Sequence, residues 1–290
     1  MTSAHLVDLT RPRIIHVAHS PDSDDAFMFY ALAEGKIDTG DLRYVHELSD
    51  IESLNRRALK GELEVTAVSI HAYAHIAQTY ALLNSGSSMG DGYGPRLVSR
   101  AARPADPRAA LQGMRVAVPG KLTTAYLTLR LFQPGFIEVV IPFDRIEAAV
   151  LAGEVEAGLL IHEGQLTYQD QGLRLWADLG EWWFEETGLP LPLGGNVVRR
   201  DLGHAVVQQV ARDLKASIVY GLEHRSAALA HAKQYNRGIG EARTDRFVGM
   251  YVNQWTVDYG PRGRQAVQTL LDRAFDAGLI SQQVKVEFVG

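Results

Sequence analysis

The 290-residue chain contains no cysteine. That excludes disulfides, a thiolate nucleophile, iron–sulfur clusters and cysteine-bound zinc, and with them the lipid-bearing cysteine of many exported binding proteins. Positive charge is not in excess: 29 Lys and Arg stand against 34 Asp and Glu, a formal net charge of −5. The longest basic clusters are pairs such as Arg56-Arg57 and Arg199-Arg200, short of the patch that a nucleic-acid surface needs. No apolar run reaches bilayer-spanning length. Met1 to Arg13 carries charges at Asp8, Arg11 and Arg13 and lacks the apolar centre of a signal peptide. The expectation is a cytoplasmic protein with no nucleic-acid and no membrane partner. What the chain does have is 46% apolar residues, ample for one large core or two smaller ones.

Those apolar residues fall into alternating strand-like and helix-like stretches. Arg13 to His19 reads as a strand that breaks at Ser20-Pro21-Asp22-Ser23-Asp24-Asp25, with a helix through Leu32 capped by Asp24 or Asp25. Leu42 to Leu48 is a second strand, and Ser49-Asp50-Ile51-Glu52 is a capping box that opens a helix to Leu59. Leu63 to Ser69 and Tyr80 to Leu83 are further strands. The glycine-rich Ser85 to Gly94 lacks a Gly-Lys-Ser/Thr ending and reads as a mobile loop. Leu97 to Arg100 is a candidate connecting strand, followed by a linker from Ala101 to Pro107. A second block has strands at Met114–Val118, Phe136–Ile141 and Ala157–Ile161, helices from Thr123 and across Phe143–Leu151, and a helix at Glu181–Glu186 with Trp182 and Trp183. Gly195 to Arg199 looks like a return strand. From Leu202 to Ala277 the pattern is helical, with a break at Asn236 to Gly240 and little β signal. Two strand–helix blocks imply an α/β fold of two lobes with parallel-rich sheets: residues 1–100 plus 200–290 as lobe I, and 101–199 as lobe II.

Gly158-Leu159-Leu160-Ile161-His162-Glu163 draws attention because an apolar strand ends directly on an imidazole. Strand ends in open α/β sheets line the crevice where ligands bind, so His162 becomes a candidate base. Three strand-to-helix junctions are expected to face it: Ser20–Asp25, Ser69–His71 and Thr123–Ala125. The hydroxyls and free N–H groups at such junctions suit an anion, and ordinary N-capping is the competing account. Glu163 orients the imidazole or begins a solvated helix. The Asp22–Asp25 cluster fails as an EF-hand loop, because Phe27 stands where glycine is needed. Capping, with Ser20, Asp24 and Asp25 hydrogen-bonding a polar substrate, is preferred to a metal there. His71 and His75 have ligand spacing but no companion glutamate. No Gly-x-Ser-x-Gly elbow, P-loop or dinucleotide fingerprint is present, so no metal and no cofactor is expected. What remains is proton transfer on a small anionic molecule.

Four blocks together are specific: Ser20-Pro21 with Asp25-Ala26-Phe27-Met28-Phe29-Tyr30, Val118-Pro119-Gly120 with Thr123-Thr124-Ala125-Tyr126, Gly153 to Glu163, and Thr187-Gly188-Leu189-Pro190-Leu191-Pro192-Leu193-Gly194. In unbroken order they resemble the MqnA/MqnD family of the futalosine route to menaquinone, and within it the 1,4-dihydroxy-6-naphthoate synthases (MqnD). The resemblance implies a type II periplasmic-binding-protein-like fold with an interlobe cleft. It also implies a lyase that converts cyclic dehypoxanthine futalosine to 1,4-dihydroxy-6-naphthoate and releases a dihydroxyacetone fragment. His162 then falls on the proton-accepting histidine, and Ala67, Val68, Ser69, Thr123, Thr124 and Ala125 on substrate-binding segments. Asn196 on the return strand joins that set. Many members read Ser-Pro-Cys-Pro-Asn-Asp-Thr-Phe where this chain has Ser20 to Phe27, which leaves the roles of Asp22 and Asp24 open. The rivals are chorismate dehydratase and a non-catalytic small-anion receptor. A monomer or homodimer is expected.

Overall fold

The computed structural model describes residues 12–235 and 240–290. The break expected from Asn236, apart from Gly240, lies outside them, as does Met1–Arg11. The first sheet has seven strands, built from β1 (Arg13–His19), β2 (Leu42–Leu48), β3 (Val65–Ser69), β4 (Tyr80–Leu83) and β5 (Ser88–Gly90), then two strands from late in the chain. The second sheet holds β6 (Arg96–Ser99), β7 (Arg115–Val118), β8 (Ile137–Val140), β9 (Ala157–Leu160) and β10 (Arg174–Asp178). β11 (Leu191–Arg199) and β12 (Phe288–Val289) complete the first.

Both sheets follow one plan. In the first the order is β2-β1-β3-β11-β4, with β12 outside β4 and β5 pairing β11; in the second it is β8-β7-β9-β6-β10. The three leading strands of each run parallel, and the fourth is antiparallel to both neighbours. That fourth strand is always the first one after the chain changes sheets. Leu97–Arg100, expected as a connector, therefore belongs largely to β6 in the middle of the second sheet. The sheets are mixed rather than parallel-rich, because antiparallel pairing lets a returning strand insert without a crossover helix. The chain leaves the first sheet after Gly90 and re-enters it at Leu191.

Why the elements stay put is visible in burial. The helix Ser23–Ala33 is buried from Ser23 to Leu32, with Phe27, Met28 and Phe29 at 1% exposure or less. It lies among the helices His204–Glu223, Arg225–Ala232 and Glu241–Tyr251, so it has no solvent face and shows no amphipathic stripe. Each such side chain contributes roughly 1.5–3 kcal/mol on burial, which anchors the Ser20–Asp25 junction. In the second sheet, Gly158 allows the helix Ile146–Ala152 to pack directly on β9: a Cβ there would lie 2.6 Å from Ile146 Cγ2 and 2.7 Å from Val150 Cγ2.

One local expectation is corrected. Ser85–Gly94 is no mobile loop: Ser87 is fully buried, Ser85 and Ser87 donate their hydroxyls to the carbonyls of Val257 and Trp255, and β5 pairs with β11. Composition alone does not reveal that a distant helix supplies the acceptors. The described residues between Leu202 and Ala277 hold helices and no strand, as expected, and beyond them β12 pairs in parallel with β4.

Candidate active site

The carboxyl ends of β1, β3, β7 and β9 open on one cavity of ≈ 120 Å³ between the sheets. The structure brings together there the candidate base and the expected substrate-binding residues, Ser20, Asp24, Asp25, Ala67, Val68, Ser69, Thr123, Thr124, Ala125, His162 and Asn196, while Glu163, His71 and His75 lie off the lining. It adds Asp22, Gln165, Phe247 and Tyr251, while Lys and Arg are absent from the lining.

His162 follows β9 with a backbone φ of 58°, the one non-glycine residue in the left-handed region among those described. That conformation costs about 1–2 kcal/mol for an L-residue. Its imidazole packs edge-on against Phe143, with ring centroids 4.5 Å apart, and its Nδ1 lies 2.8 Å from Asp22 Oδ2. Asp22 belongs to the first sheet's junction and is 1% exposed. The Nδ1–H donates to the carboxylate, so in the neutral ring Nε2 carries the lone pair. Among the described residues Nε2 is buried with no hydrogen-bond partner. Burial opposes the charged ring, but the Asp22 charge and hydrogen bond outweigh it, and the imidazole titrates above its ordinary value.

Glu163 does not begin a solvated helix. It is 3% exposed and accepts a 3.2 Å hydrogen bond from Ser23 Oγ of the first sheet's helix. The carboxylate within hydrogen-bond distance of the His162 ring is that of Asp22. Nothing in the local sequence signals that pairing, because 140 residues separate the two and they arrive from different sheets.

The acidic junction is internally organised. Ser20 Oγ lies 2.7 Å from Asp22 Oδ2 and 2.8 Å from Asp25 Oδ2, and Ser20 N–H donates to Asp25 Oδ2 at 2.8 Å. Burial pushes the Asp25 carboxyl up to about 6 despite those hydrogen bonds. Burial, followed by the charges of Asp25 and Asp22, pushes Asp24 well above the usual carboxylate range. Asp24 lines the cavity, where its surroundings favour the protonated carboxyl.

At the opposite wall, much of the hydroxyl chemistry is structural. Thr123 caps the helix Thr124–Phe132, accepting from Tyr126 N–H and donating to the Gly120 carbonyl. Thr124 Oγ1 accepts from His71 N–H and donates to the Leu193 carbonyl, tying the two sheets together. The first-turn N–H groups of Thr124 and Ala125 have no intrahelical acceptor and are the anion donors that remain. Ser69 is held by Asn55, which accepts from its N–H at 2.9 Å and donates to its Oγ at 3.0 Å, leaving the hydroxyl proton to point elsewhere. Asn196 donates to the Gly86 carbonyl, while its buried Oδ1 has no partner among the described residues. Asn55, Gln165 and Tyr251 carried no sequence signal, since each is a single polar residue in an ordinary helical pattern. The His71 and His75 rings lie tilted to each other with centroids 5.6 Å apart, and burial drops His71 to about 4. Among the described residues no group of three or more His, Cys, Asp or Glu is placed to hold a metal ion, and no helix is long and apolar enough to cross a membrane.

Two mixed sheets of matching order around a cleft define a periplasmic-binding-protein-like fold. The alkanesulfonate-binding protein SsuA of Xanthomonas axonopodis pv. citri, bound to MOPS, superposes with a TM-score of 0.71 at 16% identity, covering 96% of this chain and 97% of that one. At that identity the likeness concerns the fold alone. The chain belongs to the menaquinone biosynthesis family, whose model matches residues 15–276. It is 40% identical over 275 residues to a Thermus thermophilus protein named 1,4-dihydroxy-6-naphtoate synthase, covering 95% of this chain and 99% of the relative. A Streptomyces coelicolor protein of the same name is 38% identical, covering 92% and 94%. A crystal structure of an Archaeoglobus fulgidus protein is 48% identical, with a TM-score of 0.87 over 92% of this chain and 98% of that one.

Proposed function

We propose that this chain is a lyase that converts cyclic dehypoxanthine futalosine to 1,4-dihydroxy-6-naphthoate, releasing a dihydroxyacetone fragment, with His162 as general base. The observation that carries the reading is the His162 ring: Nδ1 is tied to Asp22, the buried Nε2 has no partner among the described residues, and the residue lines the cavity. The names of the relatives support the product. A substrate carboxylate would sit at the Thr124 and Ala125 N–H groups with the Ser69 hydroxyl. There the helix dipole favours negative charge, away from the acidic junction. Neutral His162 takes a proton from the sugar-derived ring, and the bond to the leaving fragment breaks as the product ring gains aromaticity. A positioned base contributes about 10²–10⁴-fold. Asp24, holding its proton, donates a hydrogen bond to a substrate oxygen rather than repelling it.

The test is to incubate purified protein with cyclic dehypoxanthine futalosine and, separately, with chorismate, following products by mass spectrometry. The naphthoate from the first and nothing from the second is expected. Loss of one water from chorismate, with the enolpyruvyl group retained, would make the chain a dehydratase, and binding without turnover of either would make it a receptor.

A further inference from the structure

We propose that Asp22 is a positioning residue for His162, fixing the tautomer and orientation of the imidazole from the opposite sheet, so that the base is complete only when the two sheets close on each other. The inference rests on His162 being the base. Its ground is the route by which the two side chains meet. Asp22 stands at the end of β1 and His162 at the end of β9, on separate sheets, yet Nδ1 and Oδ2 are 2.8 Å apart with Asp22 at 1% exposure. The contact does not stand alone. Ser23 Oγ, next to Asp22, donates to Glu163, next to His162, at 3.2 Å, and the Tyr251 hydroxyl meets the Gln165 amide at 2.9 Å. Three contacts stitch one short turn of the second sheet to the first. Separating the sheets breaks all three.

The consequence for chemistry is specific. A free neutral imidazole divides between two tautomers, and only the one protonated at Nδ1 offers Nε2 as an acceptor. Asp22 selects that tautomer and holds the ring in its left-handed backbone setting. Opened, the clamshell takes Asp22 and Asp24 away from His162, leaving its tautomer unselected and only Glu163, from its own turn, among the three carboxyl groups that act on the ring. Proton abstraction is thereby confined to the closed form, where water is excluded from the reactive intermediate.

Two variants and one spectroscopic measurement test this. Asp22→Ala should lower the alkaline plateau of kcat at least about tenfold, with KM within about threefold, because orientation is lost rather than binding. Asp22→Asn keeps an acceptor for Nδ1–H and should recover part of that plateau. In both variants the acid limb of kcat/KM should move to lower pH by about one unit or more, because the hydrogen-bonded carboxylate charge is gone while Glu163 and Asp24 stay in place. Nitrogen-15 spectra of the wild-type chain, which need no substrate and no variant, should report His162 as the Nδ1–H tautomer when neutral. Wild-type plateau and limb in both variants, or an Nε2–H tautomer, would overturn the proposal. Should the wild-type chain fail to turn over the futalosine, the base reading falls with the proposed function, and the tautomer decides separately whether the geometric pairing stands.

Discussion

His19 and His46 lie on neighbouring strands of the first sheet, and His162 ends a strand of the second; burial acts on all three, with opposite net results. His19 is 4% exposed, stacked on Phe29 at 4.5 Å, with Nδ1 3.0 Å from the Ser20 carbonyl and Nε2 3.2 Å from His46 Nδ1. The carbonyl requires Nδ1–H, so Nε2 accepts from His46 and both rings stay neutral. Desolvation dominates, and each drops to about 4. At His162 the same desolvation is outweighed by a carboxylate placed against Nδ1. Depth of burial alone does not set which way a histidine shifts. A carboxylate against one ring nitrogen reverses the direction.

The largest expected effect breaks the comparison on its reactive side. His162→Ala should keep the fold, checked by circular dichroism, and lower kcat by about 10²–10⁴-fold. His19→Phe, substituting in the sealed pair, should leave kcat within about twofold, since the ring lies off the cavity lining. Equal losses in both variants would show that the chemistry does not depend on the Asp22-paired ring.

The next effect tests the sealed pair through stability. A histidine that titrates at about 4 when folded and near 6.5 when unfolded binds its proton more readily in the unfolded chain. Stability therefore rises with pH between those values and is lost as pH falls through them, by up to about 1.4 kcal/mol per pH unit for each such group. Asp24 and Asp25, whose carboxyls are raised, act in the opposite sense and lose stability as pH rises. The total curve mixes these contributions, so the difference between wild type and His19→Phe is the useful quantity. Denaturant titrations at several pH values should show the wild type losing stability faster than the variant from pH 6.5 down to 4. Parallel curves would mean that His19 is protonated alike in both states.

The same contrast explains what was legible in the sequence. His162, Ser69, the Thr123–Ala125 turn and the Ser20–Asp25 junction announce themselves because a strand's end is a local pattern, and parallel strands in two blocks bring their ends to one cleft. Asp22 could be seen as part of an acidic cluster but not as a histidine's partner, since that depends on how two sheets face each other. The antiparallel insertion of β6 and β11 was equally hidden: Leu97–Ser99 and Val197–Arg199 look like any short apolar strand, and position in the sheet is set by tertiary packing. Thr123 shows the limit in the other direction. Its junction reads as a place for anion-binding hydroxyls with N-capping as the competing account, and its own hydroxyl is spent on the helix cap.

The smallest expected effect sharpens the comparison by asking where the His162 partner sits relative to solvent. Surface pairs such as Lys121–Glu138 or Arg225–Asp245 have side chains from about a quarter to more than half exposed, so salt screens them. Asp22 is 1% exposed and the His162 side chain 16%, so counter-ions have little access to the space between their charges. Raising ionic strength from about 0.05 to 0.5 M shortens the Debye length from roughly 14 to 4 Å, yet the pair is far closer than either. The acid limb of kcat/KM, set by His162, should therefore shift by no more than about 0.3 pH units across that range, and it should lie above pH 6.5, the ring's ordinary value. A limb that slides downward with salt would mean that His162 titrates in an open clamshell, with solvent between the sheets and Asp22 out of reach.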